Sequence, residues 1–374
     1  MATSQNTTML LSELLEGVSV VDSIPAIEVT GIAMDSRQLT QGDVFLACAG
    51  HRTHGMDFLL QAVDAGACAV LADVSPEWLP EKITEISGRS NIPVIAVSGL
   101  GDAVSRIAGR FYGNPSRSFP VIGITGTNGK TSCSQFIANA FEGKRKVAVL
   151  GTLGNGFPGE LMPTTHTTMD PVSVQASLAL LKSRCAEMVA MEVSSHALQQ
   201  GRVADVAFDV AVLTNFSRDH LDYHGTMADY ASAKSLLFKM PGLKSALINA
   251  DDELGERLIE DLSTTPVRVI AYGTAINESR VDAWIRADAI QALPHGLVFE
   301  IVSSWGSATA QLSLLGRFNV LNAVVALGVM LECGVEFEQA VASLAQLKTV
   351  NGRMEMFVAG HAPTVVVDFA HTPD

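Results

Sequence analysis

The sequence predicts an α/β fold, and three observations carry that expectation. Short apolar runs bounded by turn formers alternate with stretches of helical spacing almost throughout the chain. One of these runs leads into a glycine-rich loop, Gly123-Ile-Thr-Gly-Thr-Asn-Gly-Lys-Thr131, that opens a helix. Hydrophobic residues make up 48% of the 374 residues and charged residues only 17%, which is enough apolar material to bury a large core. Short apolar strands separated by helices imply a mostly parallel sheet covered on both faces.

The elements read in order as follows. Val29–Met34 and Asp43–Ala49 are β-branched or apolar runs flanked by glycine and polar residues. Met56, Leu59, Leu60 and Val63 fall on one face of a 3.6-residue period and predict a helix. Cys68–Ala72 and Pro93–Val97 read as buried strands. Val104, Ile107, Ala108 and Phe111 repeat the helical spacing. Gly113–Ser118 is rich in turn formers and reads as a linker.

A second series starts at Phe119. Pro120–Thr125 is a strand, and Cys133, Phe136, Ile137, Ala140 and Phe141 form a helical stripe. Val147–Leu150, Met188–Val193, Val210–Thr214 and Ala246–Ile248 are further strands. Alternation at Leu297, Phe299 and Ile301 predicts an antiparallel section from about Val269 to Leu315. An apolar helix follows over Val320–Leu331, a new segment begins near Asn351-Gly352, and Thr364–Asp368 is a last strand. Boundaries near Ser116 and Lys348 give three segments: 1–115, 116–348 and a short 349–374.

Composition narrows the function classes. Lys plus Arg total 25 against 39 Asp plus Glu, a net charge of −14, which argues against a non-specific nucleic-acid binder. Mean hydropathy is +0.27, yet the longest strongly apolar stretch, Leu321–Leu331, falls well short of the ~20 residues a spanning helix needs. Met1–Gly17 carries no Lys or Arg ahead of its first apolar residues, as a secretory signal would. The 5 cysteines form no Cys-x-x-Cys pair and read as reduced thiols of a cytoplasmic protein.

The loop ending at Thr131 has the context of a phosphate site, since it follows a strand and opens a helix. Its backbone N–H groups and the helix dipole would face an anion. Lys130 would reach the β- and γ-phosphates, and the Thr131 hydroxyl would bind Mg²⁺. Ile124 stands where the usual spacing has glycine, so Gly126–Thr131 is a compact variant. The alternative is a glycine-rich turn with a chance lysine.

Two further groups fall at strand ends, where doubly wound sheets gather ligands. Glu192 ends one strand, and Asp219 and His220 follow another. Taken alone, Glu192 reads as a surface carboxylate and His220 as part of a polar loop with helix-capping duty. Lys234 falls on the inner stripe of the helix Thr226–Lys239, with Met227, Tyr230 and Ala231. Such a lysine is either a buried amine of lowered pKa or one whose head escapes to solvent, and the residues alone leave both readings open.

These segments occur together in one family. Met34-Asp-Ser-Arg37, Gly50-His51, Gly126–Thr131, Thr167-Thr168, Met191–His196, Asn215–Tyr223, Ala233-Lys234, Gly316–Val320, Gly352–Glu355 and Val367–Pro373 run in family order along nearly the whole chain. In this the sequence resembles the Mur ligases of peptidoglycan synthesis, most closely those that add the third amino acid of the stem peptide. The resemblance implies a small N-terminal α/β domain that binds the UDP substrate and a central phosphate-loop domain. It further implies that 349–374 is the start of a C-terminal Rossmann-like domain.

It also implies roles. Met34, Ser36, His51, Arg52 and Thr53 would line the uridine-diphosphate pocket. His166, Thr167, Thr168, Ser194, Gln200 and Arg202 would hold the muramyl-dipeptide part, although His166 stands where many relatives have Asn. Gly126, Thr127, Asn128, Gly129, Lys130, Thr131 and Ser132 would hold ATP phosphates. Asn319 would contact the adenine, and Arg353 and Asp368 the rest of the nucleotide. Thr131 and Glu192 would bind one Mg²⁺, and His220 a second together with a carbamylated Lys234. Lys130, Lys234 and His220 would carry the catalysis.

The implied reaction joins a diamino acid, meso-diaminopimelate or L-lysine, to UDP-MurNAc-L-Ala-D-Glu at the expense of ATP, in a cytoplasmic monomer. The Asp-Asn-Pro-Arg-type motif by which such enzymes grip the incoming amino acid does not occur here. A truncated product that binds without turnover is therefore one alternative. Another Mur or folylpolyglutamate-synthase-like ligase is a second.

Overall fold

The structure, a computed structural model, describes residues 8–20, 23–50, 53–357 and 365–370. It falls into two compact units. One comprises Met1–Ser118 with Asp170–Leu180 and Gln200–Val206, and the other the rest of the chain.

The first unit is built on four parallel strands that lie side by side in chain order: β1 (Gly31–Ala33), β2 (Asp43–Ala47), β3 (Ala69–Asp73) and β4 (Val94–Val97). β2, β3 and β4 are buried along their whole length, as a sheet covered on both faces requires. The period of two splits β2 between two cores. Val44 and Leu46 pack with Leu71, Val97 and the helix α1 (Leu100–Phe111). Phe45 and Ala47 face Met56, Ala62, Val70 and Ile83 on the other side. Val104, Ile107, Ala108 and Phe111 all face the core, as their spacing predicts.

The stripe expected at Met56–Val63 is corrected. Leu60 is 77% exposed, and Ala62 takes its place in the core. Gly55–Phe58 is a 3-10 turn and the α-helix begins only at Leu59. The tighter 3-10 winding shifts the phase that a continuous α-period assumes.

The second unit holds a ten-stranded sheet. Its strands are β5 (Val121–Thr125), β6 (Val147–Gly151), β7 (Gly154–Gly156), β8 (Met188–Glu192), β9 (Val210–Leu213), β10 (Ser245–Asn249), β11 (Arg268–Gly273), β12 (Ala283–Leu293), β13 (Gly296–Ser303) and β14 (Gly306–Leu312). Across the sheet they run β14-β13-β12-β11-β10-β9-β5-β8-β6-β7. From β12 through β6 every neighbouring pair is parallel. The outer pairs β12–β13, β13–β14 and β6–β7 are antiparallel.

The antiparallel section therefore begins at β12, and the expectation that it starts near Val269 is corrected. β11 is buried from Val269 to Gly273 and pairs in parallel on both sides. A continuous apolar run of this kind is the mark of a parallel strand, and the alternation that signals a half-exposed strand begins only further on.

Two helices cover the centre of one face of this sheet. α2 (Lys130–Ala140) places Cys133, Phe136, Ile137 and Ala140 in the core. α3 (Phe318–Glu332) is buried nearly all round, as its composition predicts. At Gly328 a Cβ would approach Leu247 to 2.8 Å, so glycine there lets α3 lie directly on β10. Glu355–Phe357 and Val365–Val367 form a separate antiparallel pair. Among the described residues no helix is long and apolar enough to cross a membrane.

Candidate active site

β5 lies between β8 and β9, so the carboxyl ends of these three strands sit together. The chain leaves β5 toward β6 and β8 on one side and later reaches β9 on the other. Strand order thus reverses around β5, and such a switch point opens a crevice for ligands. A cavity of about 810 Å³ lies there. Of the predicted site residues, Thr127–Ser132, Thr167, Glu192, His220, Arg353 and Asp368 line it.

The phosphate loop spans the gap between β5 and α2. Gly126 has φ +147° and Gly129 φ +83°, conformations that favour glycine, and a Cβ at Gly126 would run into the Thr214 hydroxyl. The loop is braced against the segment after β9. Thr127 N–H donates to Asn215 O at 2.9 Å, and Asn128 N–H to Asn215 Oδ1 at 2.8 Å. Those two amides are thereby committed. The anion-binding donors are the N–H groups of Lys130, Thr131 and Ser132, the first-turn amides that a helix leaves unpaired.

Lys130 is half-buried, and its Nζ donates to Gly126 O at 2.7 Å and Thr127 O at 2.8 Å. Burial pushes its pKa down, and the nearby carboxylates of Glu192 and Asp219 push it back up. Lys234 lies behind the loop rather than on the cavity wall. It is 1% exposed, and its Nζ donates to the same Gly126 carbonyl at 2.8 Å. Burial holds its pKa well below the ordinary value, and Lys130 adds to that depression. Of the two readings open for this lysine, the buried amine is the one found; its head does not escape to solvent.

Glu192 is buried too, not a surface carboxylate. It accepts from Thr131 Oγ1 at 2.9 Å, Thr152 N at 2.9 Å and Thr152 Oγ1 at 3.0 Å. Burial raises its pKa, while Lys130 and these donors lower it. Gly151 has no room for a Cβ, because one would overlap the Glu192 carboxylate. Among the described residues no three or more His, Cys, Asp or Glu side chains converge as a metal cage. One carboxylate beside one hydroxyl is nevertheless the sparse, all-oxygen donor set that suits a magnesium ion shared with nucleotide phosphates. His220 and Lys234 offer an imidazole and an amine, and the amine suits a cation only after conversion to an oxygen ligand.

His220 sits at the rim with φ +51°, and its Nε2 lies 3.3 Å from Asp219 Oδ2. Burial lowers its pKa, with Asp219 opposing. Arg353 has a buried Nε without a hydrogen-bond partner, on the cavity wall. Asp368 Oδ2 accepts from Met354 N–H at 2.7 Å. Asn319 is buried away from the cavity, donating to Leu315 O at 2.7 Å and accepting from Asn322 at 3.1 Å; Asn322 lines the wall instead.

Thr168 is also behind the wall, donating to Glu192 O at 2.9 Å and accepting from Ser194 N–H at 3.0 Å. The Thr152 hydroxyl hydrogen is committed to Glu192, so the Thr167 hydroxyl, 3.1 Å away, donates to Thr152 Oγ1. His166 is exposed, with Nδ1 2.9 Å from Thr165 Oγ1. Ser194 Oγ accepts from Ala197 N–H at 3.2 Å.

The remaining predicted residues lie in the first unit. Ser36 is buried and donates to Gln61 at 3.0 Å, Met34 is half-buried and Thr53 exposed. Gln200 Oε1 accepts from Arg202 Nε at 2.9 Å and Nη2 at 2.6 Å. His51 and Arg52 lie outside the described residues. Sequence reasoning missed Thr152, Asn215, Asn249, Asp252 and Asn322 on the cavity wall. For Thr152 and Asn215 a signal was available, since Thr152 directly follows one strand end on the switch-point side and Asn215 stands two residues past another.

These surroundings suit the phosphates of a nucleoside triphosphate, the energy source of the ATP-dependent ligases that form C–N bonds. Comparison with known proteins agrees. The Mur ligase middle domain matches residues 124–330, and the Mur ligase family catalytic domain matches residues 28–112. Over 365 residues the chain is 41% identical to the UDP-N-acetylmuramoyl-L-alanyl-D-glutamate–2,6-diaminopimelate ligase of Coxiella burnetii, covering 97% of this chain and 73% of that one. It is 45% identical over 350 residues to the enzyme of the same name from Alkalilimnicola ehrlichii, covering 92% and 69%. A solved structure of a ligase of that name superposes with a TM-score of 0.80 at 30% identity, over 98% of this chain and 72% of that one. The chain belongs to the Mur ligase family.

Proposed function

We propose that this chain adds meso-diaminopimelate to UDP-MurNAc-L-Ala-D-Glu, with ATP as the energy source, as the third amino acid of the peptidoglycan stem peptide. The relatives carry that activity in their names. The observation in the molecule that supports it most is the buried Glu192 carboxylate held 2.9 Å from the hydroxyl of the phosphate-loop Thr131. A buried carboxylate is costly, and a counter-cation shared with ATP phosphates offsets that cost.

The reaction runs in two steps. The D-glutamate carboxylate attacks the γ-phosphorus and gives an acyl phosphate and ADP. The amine then attacks the acyl carbon, and phosphate leaves. The first-turn amides of α2 bind phosphate oxygens, and Lys130 moves its ammonium from the Gly126 and Thr127 carbonyls to the phosphates. Thr131 and Glu192 would hold one Mg²⁺, and His220 would hold a second together with Lys234 once that amine is carbamylated; cations at those positions would supply charge that offsets the repulsion between carboxylate and phosphate.

Arg353 and Asp368 contact the nucleotide, with Asn319 acting through Asn322. Residues 1–115 bind the uridine diphosphate through Met34, Ser36 and His51–Thr53. His166, Thr167, Thr168, Ser194, Gln200 and Arg202 position the muramyl dipeptide. Residues 116–348 form the ATP-binding domain. Both substrates are cytoplasmic metabolites, so the enzyme works in the cytoplasm.

The test is direct. The chain is mixed with UDP-MurNAc-L-Ala-D-Glu, Mg²⁺-ATP and either meso-diaminopimelate or L-lysine, and phosphate release and product mass are followed. Phosphate release that requires meso-diaminopimelate, with a product one diaminopimelate residue heavier, is the expected result. A product formed with L-lysine in preference, or no binding of either the UDP substrate or ATP, overturns the proposal.

A further inference from the structure

We propose that Tyr230 is a positioning residue for the phosphate loop, acting through the Thr127 hydroxyl; this rests on the reading of the loop as the ATP site. Tyr230 lies on the helix Met227–Ser235 and is fully buried. It is absent from the lining of the nucleotide cavity. Its phenol oxygen lies 3.3 Å from Thr127 Oγ1.

The direction of that bond follows from counting hydrogens. Thr127 Oγ1 has one hydrogen, and it goes to Ser217 O at 3.1 Å. The same oxygen accepts Ser217 N–H at 3.0 Å. What it has left for Tyr230 is a lone pair, so the phenol is the donor.

The ring is fixed as well. Lys234 Nζ sits 4.3 Å from its centroid and donates to Gly126 O, so Tyr230 supports the loop at Gly126 through Lys234 and at Thr127 directly. The His224 ring packs against it at 5.0 Å, and His224 Nε2 is tied to Ser195 Oγ at 2.9 Å. Phe216 packs at 5.3 Å. The two carbonyls on which Lys130 rests, those of Gly126 and Thr127, are therefore held by a ring that is itself clamped. Loss of the phenol hydroxyl leaves a Thr127 lone pair empty and frees the peptide from which Lys130 reaches the phosphates.

The experiment is a double-mutant cycle read as ATP affinity by calorimetry, alongside steady-state kinetics. Tyr230→Phe keeps the ring and its packing. It should weaken ATP binding about fivefold, the scale of one hydrogen bond. The KM for ATP should rise in step, kcat should change less than about twofold, and affinity for the UDP substrate should not move. In a Thr127→Val background, Tyr230→Phe should have no further effect. Parental ATP affinity in Tyr230→Phe, or losses that multiply in the double variant, overturns the inference. Thr127→Ser against Thr127→Val tests the receiving hydroxyl even if Tyr230→Phe folds poorly. The valine variant should bind ATP at least about fivefold more weakly than the serine variant, and equal binding by the two also overturns it. Failure of the parent itself to bind ATP would instead count against the ATP site.

Discussion

Glu192→Gln keeps the shape of the side chain and removes its charge, which makes it the sharpest probe of the site. The carboxylate is 1% exposed and accepts three hydrogen bonds, from Thr131 Oγ1 and from the N–H and hydroxyl of Thr152. A charge-assisted bond is roughly twice as strong as a neutral one, so the amide gives up about 1 kcal/mol per bond, about 3 kcal/mol together. Against this, burying a carboxylate carries a penalty of several kcal/mol. That penalty is the largest influence on Glu192 and raises its pKa. The opposing effects nearly cancel, so folding stability at neutral pH should move by less than about 2 kcal/mol, within about 5 °C in Tm.

The pH dependence has a definite sign. A carboxyl with a pKa higher in the folded than in the unfolded chain binds protons more readily when folded. Its support for folding is present below the unfolded value, about 4.3, and is lost as pH rises through the raised folded value. Relative to the parent, Glu192→Gln should therefore gain stability between pH 5 and pH 8. Its ATP-dependent phosphate release should fall about 100-fold or more, because the charge that holds a cation beside the phosphates is gone. Thermal melts at pH 5 and pH 8, with phosphate release on the same samples, read both effects. A variant that keeps more than about a tenth of parental turnover, or that loses relative stability as pH rises, refutes this account.

Five other substitutions test neighbouring parts. Lys130→Ala should abolish ATP-dependent phosphate release while leaving the fold intact by circular dichroism; near-normal turnover would remove the lysine from phosphate binding. Lys234→Ala should be inactive and partly recover with a short carboxylic acid in the assay, and full activity without the acid eliminates the carbamate role. The lowered pKa of Lys234 means that the parent gains stability as pH rises from the depressed folded value toward ~10.4, so Lys234→Met should show a flatter alkaline stability profile. Gly126→Ala meets both the Thr214 hydroxyl and a φ of +147°, and should cost at least about 2 kcal/mol in denaturant melts. Gly143→Ala, at φ +75° with nothing within 4 Å, should cost only about 1 kcal/mol, and equal losses at the two sites would show that the loop contact is unimportant.

Much of the fold was legible because it is local. The strands from Asp43 to Ile248 announce themselves as apolar runs between turn formers, and α1 and α3 as periodic or wholly apolar stretches. The misreadings have local causes as well. A 3-10 turn at Gly55–Phe58 shifted a helical phase and left Leu60 in solvent. The alternation of β13 was extended back over β11, a strand buried on both faces.

The site divides in the same way. Gly126–Thr131 is readable because a phosphate loop is one continuous segment, and strand-end geometry pointed to Glu192 and His220. Its place after a strand end marks Thr152 as a candidate but does not say what it touches. Only when β6 and β8 lie side by side does it supply two of the three hydrogen bonds to Glu192.

The sequence by itself determined the α/β class, the phosphate loop and the family, since periodicity, turn chemistry and motif order are properties of neighbouring residues. Tertiary structure decided what those residues do to one another. It put Lys234 on the same Gly126 carbonyl as Lys130, sank Glu192 among hydroxyls, and brought the Thr127 hydroxyl to Ser217 and Tyr230. Burial and charge proximity depend on distance in space, and segments a hundred residues apart acquire that distance only when the sheet brings their ends to one rim.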